Sequence, residues 1–346
     1  MVSIKKYYVV CPSNTVTGGP DALHQLVFYM RKNGFDCVLA YIADKKAGLK
    51  IPDPYKIYVN DFTLFKKVKD NENNIIIIPE TQSFLSKKFR KSPIFIWWLS
   101  VDNNEVKKKF LWKIWFILSF PFRVLKHKNN YQSSFFSKLA NTIEAKKYDF
   151  TKENSNVFHL CASYYALDFI CKNSHRPYYK CIEPISFKFL SNYKKWKDDR
   201  IRNDVILYNP KKSKFIVDVL KEKCSKLKFL ALENMTQDEL VATYSKAKLY
   251  IDFGPFPGAE RIPKEAVLYG CAIITGKHGA SFYYGDVPVS NEYKFDEKCE
   301  IEKIIEKINF ILMNYDKCIN DFNEYKNTVL GLETNFENSL NDIFGK

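Results

Sequence analysis

IDFGPFPGAERIPKEAVLYGCAIITGKHGAS, residues 251–281, decides how the chain is read. Ile-Asp-Phe closes an apolar strand, and Gly-Pro-Phe-Pro-Gly at 254–258 turns the backbone. Residues 260–269 take helical spacing, and Cys-Ala-Ile-Ile-Thr at 271–275 returns to a strand. Strand, tight turn, helix, strand is the repeating unit of a parallel α/β sheet. Glu260, Arg261, Lys264 and Glu265 follow the turn at once. Charged side chains after a strand's carboxyl end lie where such sheets bind ligands.

The same unit recurs on either side. A strand at 205–208 runs into Asn209-Pro210-Lys211-Lys212 and a helix, and a second strand follows at 228–232. MTQDELVATYSKA carries a capping box, Thr236 with Glu239, and 301–312 is an amphipathic closing helix. Near the start, an apolar run at 7–11 ends in a loop that closes on Gly18-Gly19-Pro20. Leu23, Leu26, Val27 and Met30 then recur at i, i+3, i+4 and i+7, Asn33-Gly34 stops that helix, and 37–42 is the next strand. IIIIPE at 75–80 and IFIWWL at 94–99 are apolar throughout, as strands buried on both faces are. The pattern predicts an α/β chain of two Rossmann-like domains facing each other across a cleft. The expected bounds are 1–190 and 203–330, joined near 186–202, with a helical tail at 331–346. A length of 346 residues suits two such cores.

Hydrophobic residues make up 46% and charged residues 27%, which excludes a disordered chain. The formal net charge of +15 suits a phosphorylated substrate, an anionic membrane face or a nucleic acid and selects none of them. Nine scattered cysteines without a C-x-x-C motif predict reduced core thiols rather than a disulfide framework or a zinc site. The opening MVSIKKYYVVCPSNT lacks a signal peptide's apolar run, so the expected location is the cytoplasm.

VKKKFLWKIWFILSFPFRVLKHK at 106–128 departs from the α/β pattern. Its apolar stretch of about 16 residues is broken by Lys113 and Pro121, whereas a spanning helix needs roughly 20. Trp112, Trp115, Phe116, Phe120 and Phe122 between lysine-rich flanks fit an interfacial element on anionic lipid, on the inner face of the cell membrane. A helix buried between domains or in an oligomer interface is the alternative.

Three loops follow strand ends. Gly18 and Gly19 let a ligand approach the backbone before a helix, and their spacing does not match G-x-G-x-x-G. After the strand at 205–208, Asn209 leads into Lys211 and Lys212, whose point charges lie where a diphosphate would sit. In the opening stretch, Pro257 and Gly258 form the turn, Glu260, Arg261 and Lys264 open the helix, and Glu265 offers two acceptors to a pair of sugar hydroxyls. The same spacing also makes Glu260–Lys264 and Arg261–Glu265 simple i,i+4 ion pairs.

KLYIDFGPFPGAERIPKEAVLYGCAIIT resembles the donor region of GT-B glycosyltransferases, of the family 1 and family 4 bacterial type. Glu265-Ala266-Val267-Leu268-Tyr269-Gly270 matches their E-A-x-x-x-G element as it stands. The resemblance implies that Glu265 binds the ribose of a nucleotide-sugar and that Lys211 and Lys212 face its diphosphate. It departs at Pro257, where relatives with an E-x7-E motif carry a second glutamate eight positions before the ribose ligand. A GT-B site implies no metal and no cofactor beyond the donor, and the chain lacks a D-x-D.

An inverting reaction would draw a base from His24, from Glu80 after IIIIP, or from Asp102, which follows the Trp97-Trp98 pair with Asn103 as a sugar-binding edge. His159 in VFHLCASYYA reads as the start of an interdomain helix, with Ser163 and Tyr164 lining the cleft, and His278 as a turn residue. The expected activity is transfer of a sugar from a nucleotide-sugar to a glycan or lipid-linked acceptor, in surface polysaccharide, lipopolysaccharide or capsule synthesis. A nucleotide-sugar epimerase of the same fold, or a basic protein binding anionic membrane or nucleic acid, are the alternatives. No nucleic-acid motif supports the last, and none is expected as a partner.

Overall fold

A computed structural model describes residues 5–43, 48–103, 148–196, 198, 201–298 and 300–345. The interfacial segment expected at 106–128 lies outside the described residues.

The N-terminal half is built on β1 (Lys6–Pro12), α1 (Gly18–Lys32), β2 (Asp36–Ile42), β3 (Thr63–Leu64), β4 (Asn74–Pro79), β5 (Ile94–Trp98), β6 (Val157–Cys161), α2 (Tyr164–Asn173) and β7 (Tyr178–Lys180). The strands form one sheet in the order β3-β2-β1-β4-β5-β6-β7, every described pair parallel. Every residue of β4 and β5 is buried, which accounts for their unbroken apolar sequences. His159, expected to open a helix, lies in β6 instead. Its neighbours Val157, Leu160 and Cys161 are buried on the sheet, and the helix begins at Tyr164, capped by Ser163.

The second half adds α3 (Phe187–Lys195), β8 (Asn203–Tyr208), α4 (Pro210–Lys223), β9 (Lys228–Ala231), α5 (Gln237–Lys246), β10 (Ala247–Asp252), α6 (Arg261–Leu268), β11 (Ala272–Gly276), β12 (Lys294–Phe295), α7 (Ile301–Met313), α8 (Tyr315–Cys318) and α9 (Asn323–Phe344). Its five strands are parallel in the order β12-β11-β10-β8-β9. The Thr236–Glu239 capping box opens α5. Gly270, which ends the E-A-x-x-x-G element, sits at φ +86°, and the Arg202 guanidinium occupies the place of its missing side chain.

The chain then returns to where it began. Of the stretch read as a tail, residues 331–344 belong to α9, and Phe336, Leu340 and Phe344 enter the N-terminal core beside Tyr7, Tyr29 and Trp97. Burying each such side chain contributes about 1.5–3 kcal/mol, enough to hold the helix on the opposite domain. Likewise α3 precedes the expected start at 203 yet packs Phe189 and Leu190 into the C-terminal core.

Further contacts join the halves. Val101 N donates to Pro257 O at 2.6 Å, and Asp286 accepts from the first two amides of α2, Tyr164 N at 2.8 Å and Tyr165 N at 3.0 Å. A Cβ at Gly258 would overlap the Leu99 carbonyl oxygen, so only glycine lets these loops meet. Among the described residues, no helix is long and apolar enough to cross a membrane.

Candidate active site

In an open parallel sheet the strand order reverses at a switch point, and the loops there diverge to leave a crevice. Here the reversal falls between β1 and β4. The loops after those strands, with the end of β5, wall a cavity of about 590 Å³ closed from the opposite domain by the start of α6. Gly18, Gly19 and Glu80 come from the first domain. Pro257, Gly258, Glu260, Arg261 and Glu265 come from the second.

Arg261 organises this wall. Its guanidinium donates to Asp21 of α1 at 2.8 Å and to Glu265, one helical turn on, at 3.3 Å. Glu265 also accepts from Tyr244 OH at 3.4 Å. Burial pushes the Asp21 and Glu265 carboxyls upward, and Arg261 pulls both back. Burial works against the charge on Arg261, yet Glu265 and Asp21 more than offset it and hold that pKa above its ordinary value. Arg261 also borders a second cavity, of about 630 Å³, with Tyr55, Tyr58 and Gln237.

The Arg261–Glu265 pair follows from i,i+4 spacing, but Glu260 does not pair with Lys264. Glu260 meets Lys212 at 2.6 Å, and Lys212 also donates to Pro255 O at 3.3 Å. The basic residue after β8 is thereby carried to the cavity's edge, whereas Lys211 stays exposed. Asn209 caps α4 by accepting from Lys211 N at 3.1 Å. Lys264 is not brought to this site. A residue one step from Glu265 turns about 100° around the helix, and Lys264 lines a separate cavity of about 350 Å³ with Lys180 and Asp286.

Of the three candidate bases, only Glu80 reaches the cavity, where it accepts from Leu99 N at 3.2 Å. His24 is sealed in the core, 1% exposed, with Nδ1 against Pro20 O at 2.5 Å and Nε2 against Tyr41 OH at 2.7 Å. Burial lowers its pKa to about 4, so the ring is neutral and both nitrogens are committed. Asp102 accepts from Tyr165 OH at 2.9 Å away from the cavity wall. Nor do Trp97 and Trp98 offer a platform. Both are 0% exposed, their indole N–H groups donating to Cys181 O at 2.9 Å and to His159 at 3.0 Å. His278 faces Glu297 at 2.8 Å.

Sequence reasoning missed Ser100 and Glu183, which also line the cavity. Burial raises the Glu183 carboxyl to about 7. A charged residue between Ile182 and Ile185 was the available signal, since carboxylates are rarely flanked by core side chains.

No family model matches the chain, and no curated protein matches it in sequence. Solved structures do match over almost its whole length. Sucrose-phosphate synthase from Thermosynechococcus elongatus aligns with TM-score 0.58 at 9% identity, covering 98% of each chain. Anabaena HepE in complex with UDP gives 0.55 at 12%, again over 98% of both. WaaG, a glycosyltransferase involved in lipopolysaccharide biosynthesis, gives 0.54 at 9% over 98% of this chain and all of its own. The chain has the GT-B fold of these glycosyltransferases, two Rossmann-like domains facing each other across a cleft.

Proposed function

We propose that this chain is a glycosyltransferase that takes a nucleotide-sugar into the cleft and transfers the sugar to a glycan or lipid-linked acceptor. The observation that carries the reading is the Arg261–Glu265 pair on the wall of the switch-point cavity. Glu265 accepts the ribose hydroxyls there. The diphosphate lies toward Gly18, Gly19 and Arg261, and Lys212 exchanges Glu260 for a phosphate oxygen. During transfer the bond from the anomeric carbon to the phosphate oxygen breaks, and the diphosphate leaves with the electron pair. The acceptor oxygen forms the new bond, and its proton passes to the departing diphosphate. Arg261 and Lys212 stabilise the charge that develops on the leaving group, so no metal is required of this scheme. HepE, which has a similar fold, is solved in complex with UDP, and this supports a nucleotide as a ligand here.

We place the acceptor at a membrane surface, in surface polysaccharide or lipopolysaccharide synthesis, on the strength of residues 106–128. Deleting the apolar part of that segment releases the protein from anionic vesicles in a flotation assay; unchanged flotation contradicts that placement.

The activity is tested by incubating the protein with labelled UDP-, GDP-, ADP-, dTDP- and CMP-sugars and membrane glycolipid. One donor should deliver label to the lipid fraction, and Glu265→Ala should lower kcat/KM at least about tenfold. Label in no fraction from any donor contradicts the reading. Conversion of the donor sugar without an acceptor points instead to epimerisation.

A further inference from the structure

Buried polar atoms nearly always find a hydrogen-bond partner, so those that do not are informative. Among the described residues, the buried side-chain atoms left without one are Ser100 Oγ, Glu183 Oε2, Arg202 Nε and Thr275 Oγ1. Ser100 and Glu183 line the same cavity, the one between the domains.

We propose that Ser100 and Glu183 form a sugar-binding subsite of that cavity, Glu183 Oε2 accepting from a ring hydroxyl and Ser100 Oγ bonding a ring oxygen or hydroxyl. The proposal rests on reading the cavity as the site of glycosyl transfer. The chemistry narrows the ligand. A carboxylate repels phosphate, so this part of the wall is not the diphosphate site. Lys264 and Arg261 already act on Glu183 as positive neighbours, which disfavours a cation. An uncharged hydroxyl donor satisfies both orphan oxygens without adding charge.

Position supports this reading. Glu183 sits on the link 181–186 between the domains, 9% exposed. The link is pinned at one end by Trp97 Nε1 donating to Cys181 O at 2.9 Å, and at the other by Phe187 N donating to Tyr58 OH at 3.1 Å. Ser100 stands between Leu99, whose amide is held by Glu80, and Val101, whose amide is held by Pro257. Both groups are therefore fixed before a ligand arrives. Burial holds the Glu183 carboxyl near 7, against the pull of Lys264 and Arg261 and with a push from Asp21, so it can accept from a hydroxyl or donate to one near neutrality.

Saturation-transfer NMR tests the subsite on wild type, Ser100→Ala, Glu183→Ala and, should the last fail to fold, Glu183→Gln. The probes are UDP, GDP and dTDP, their glucose and N-acetylglucosamine conjugates, and the methyl glycosides of glucose, galactose, mannose and N-acetylglucosamine. Wild type should saturate the ring protons of at least one sugar. The variants should lose that signal at least about tenfold, keep any nucleoside signal and melt at the wild-type temperature. Sugar signal confined to a conjugate assigns the subsite to the donor sugar, and signal from a free glycoside assigns it to the acceptor. A glycoside that depends on Glu183 when no nucleotide binds upholds the subsite and removes the nucleotide-sugar reading. The subsite is overturned by ring signals equal in all variants, by no sugar saturating in wild type, or by variants that melt lower with sugar signals intact.

Discussion

Among the described residues Arg261 is the cation that bridges two carboxylates buried to 6% and 3% exposure, Asp21 and Glu265, and Arg261→Ala removes it. Taking away one partner of a buried pair leaves an uncompensated charge and costs about 3–5 kcal/mol. The Arg261 side chain is 28% exposed, so solvent already screens part of the attraction, and the lower end, about 3 kcal/mol, applies. For a chain of 346 residues the unfolding entropy is roughly 0.7 kcal/mol per kelvin, so the melting temperature should fall by about 4 °C. The loss must also depend on pH. Without Arg261 the folded pKa values of both carboxyls rise further above their ordinary values of 3.8 and 4.5. Between those ordinary values and the raised ones, the folded state keeps protons that the unfolded state has released, so stability declines as pH rises. The penalty should be smallest at the acid end of the stable range and grow as pH rises, as read by thermal unfolding at one acid and one alkaline pH. Adding Asp21→Asn and Glu265→Gln to the variant should recover most of it. A loss equal at both pH values, or one that the neutral pair does not relieve, would refute the argument.

Two further outcomes follow from the placement of other residues. His24 is neutral when folded, with its pKa lowered from 6.5 to about 4, while the unfolded ring takes a proton below about 6.5. Wild-type stability should therefore drop by up to about 3 kcal/mol as pH falls through that window. Urea titrations of His24→Gln should show a flatter dependence, and parallel profiles would contradict the buried, neutral ring. Lys212→Ala should weaken nucleotide diphosphate binding at least about tenfold, whereas Lys264→Ala should leave it within about twofold. Equal losses in calorimetry would put Lys264 back in the donor site.

Much of the fold was legible because parallel strands covered on both faces have no polar side to interrupt them. Residues 75–78 and 94–98 became β4 and β5 for that reason. Helix spacing and Asn33-Gly34 likewise outlined α1, and the glycine-bracketed stretch at 251–275 outlined β10, α6 and β11. Short pairings carry no such signal. Thr63–Leu64 and Lys294–Phe295 are strands only because a neighbouring strand offers hydrogen bonds. The return of α9 to the first domain was equally hidden, since an amphipathic helix does not encode which core receives it.

At the site, the legible part was local. Arg261 and Glu265 share a helix face by spacing alone, and a glycine loop after β1 belongs at a switch point. What decided Lys212, Lys264 and His24 was three-dimensional. Glu260 drew Lys212 across from another helix, the turn of α6 sent Lys264 to a different cavity, and Tyr41 and Pro20 enclosed His24. Ser100 and Glu183 matter through partners they lack, which no sequence pattern records.

The central claim is that the cavity between the domains holds a nucleotide through Glu265. Calorimetric titration of UDP, GDP, ADP, dTDP and CMP into wild type and Glu265→Ala tests it directly. The account predicts that one nucleotide binds wild type and loses at least about tenfold in affinity in a variant that remains folded by circular dichroism. Binding by none of the five, or equal binding by both proteins, would leave Glu265 as an ion-pair partner of Arg261 alone and contradict the claim.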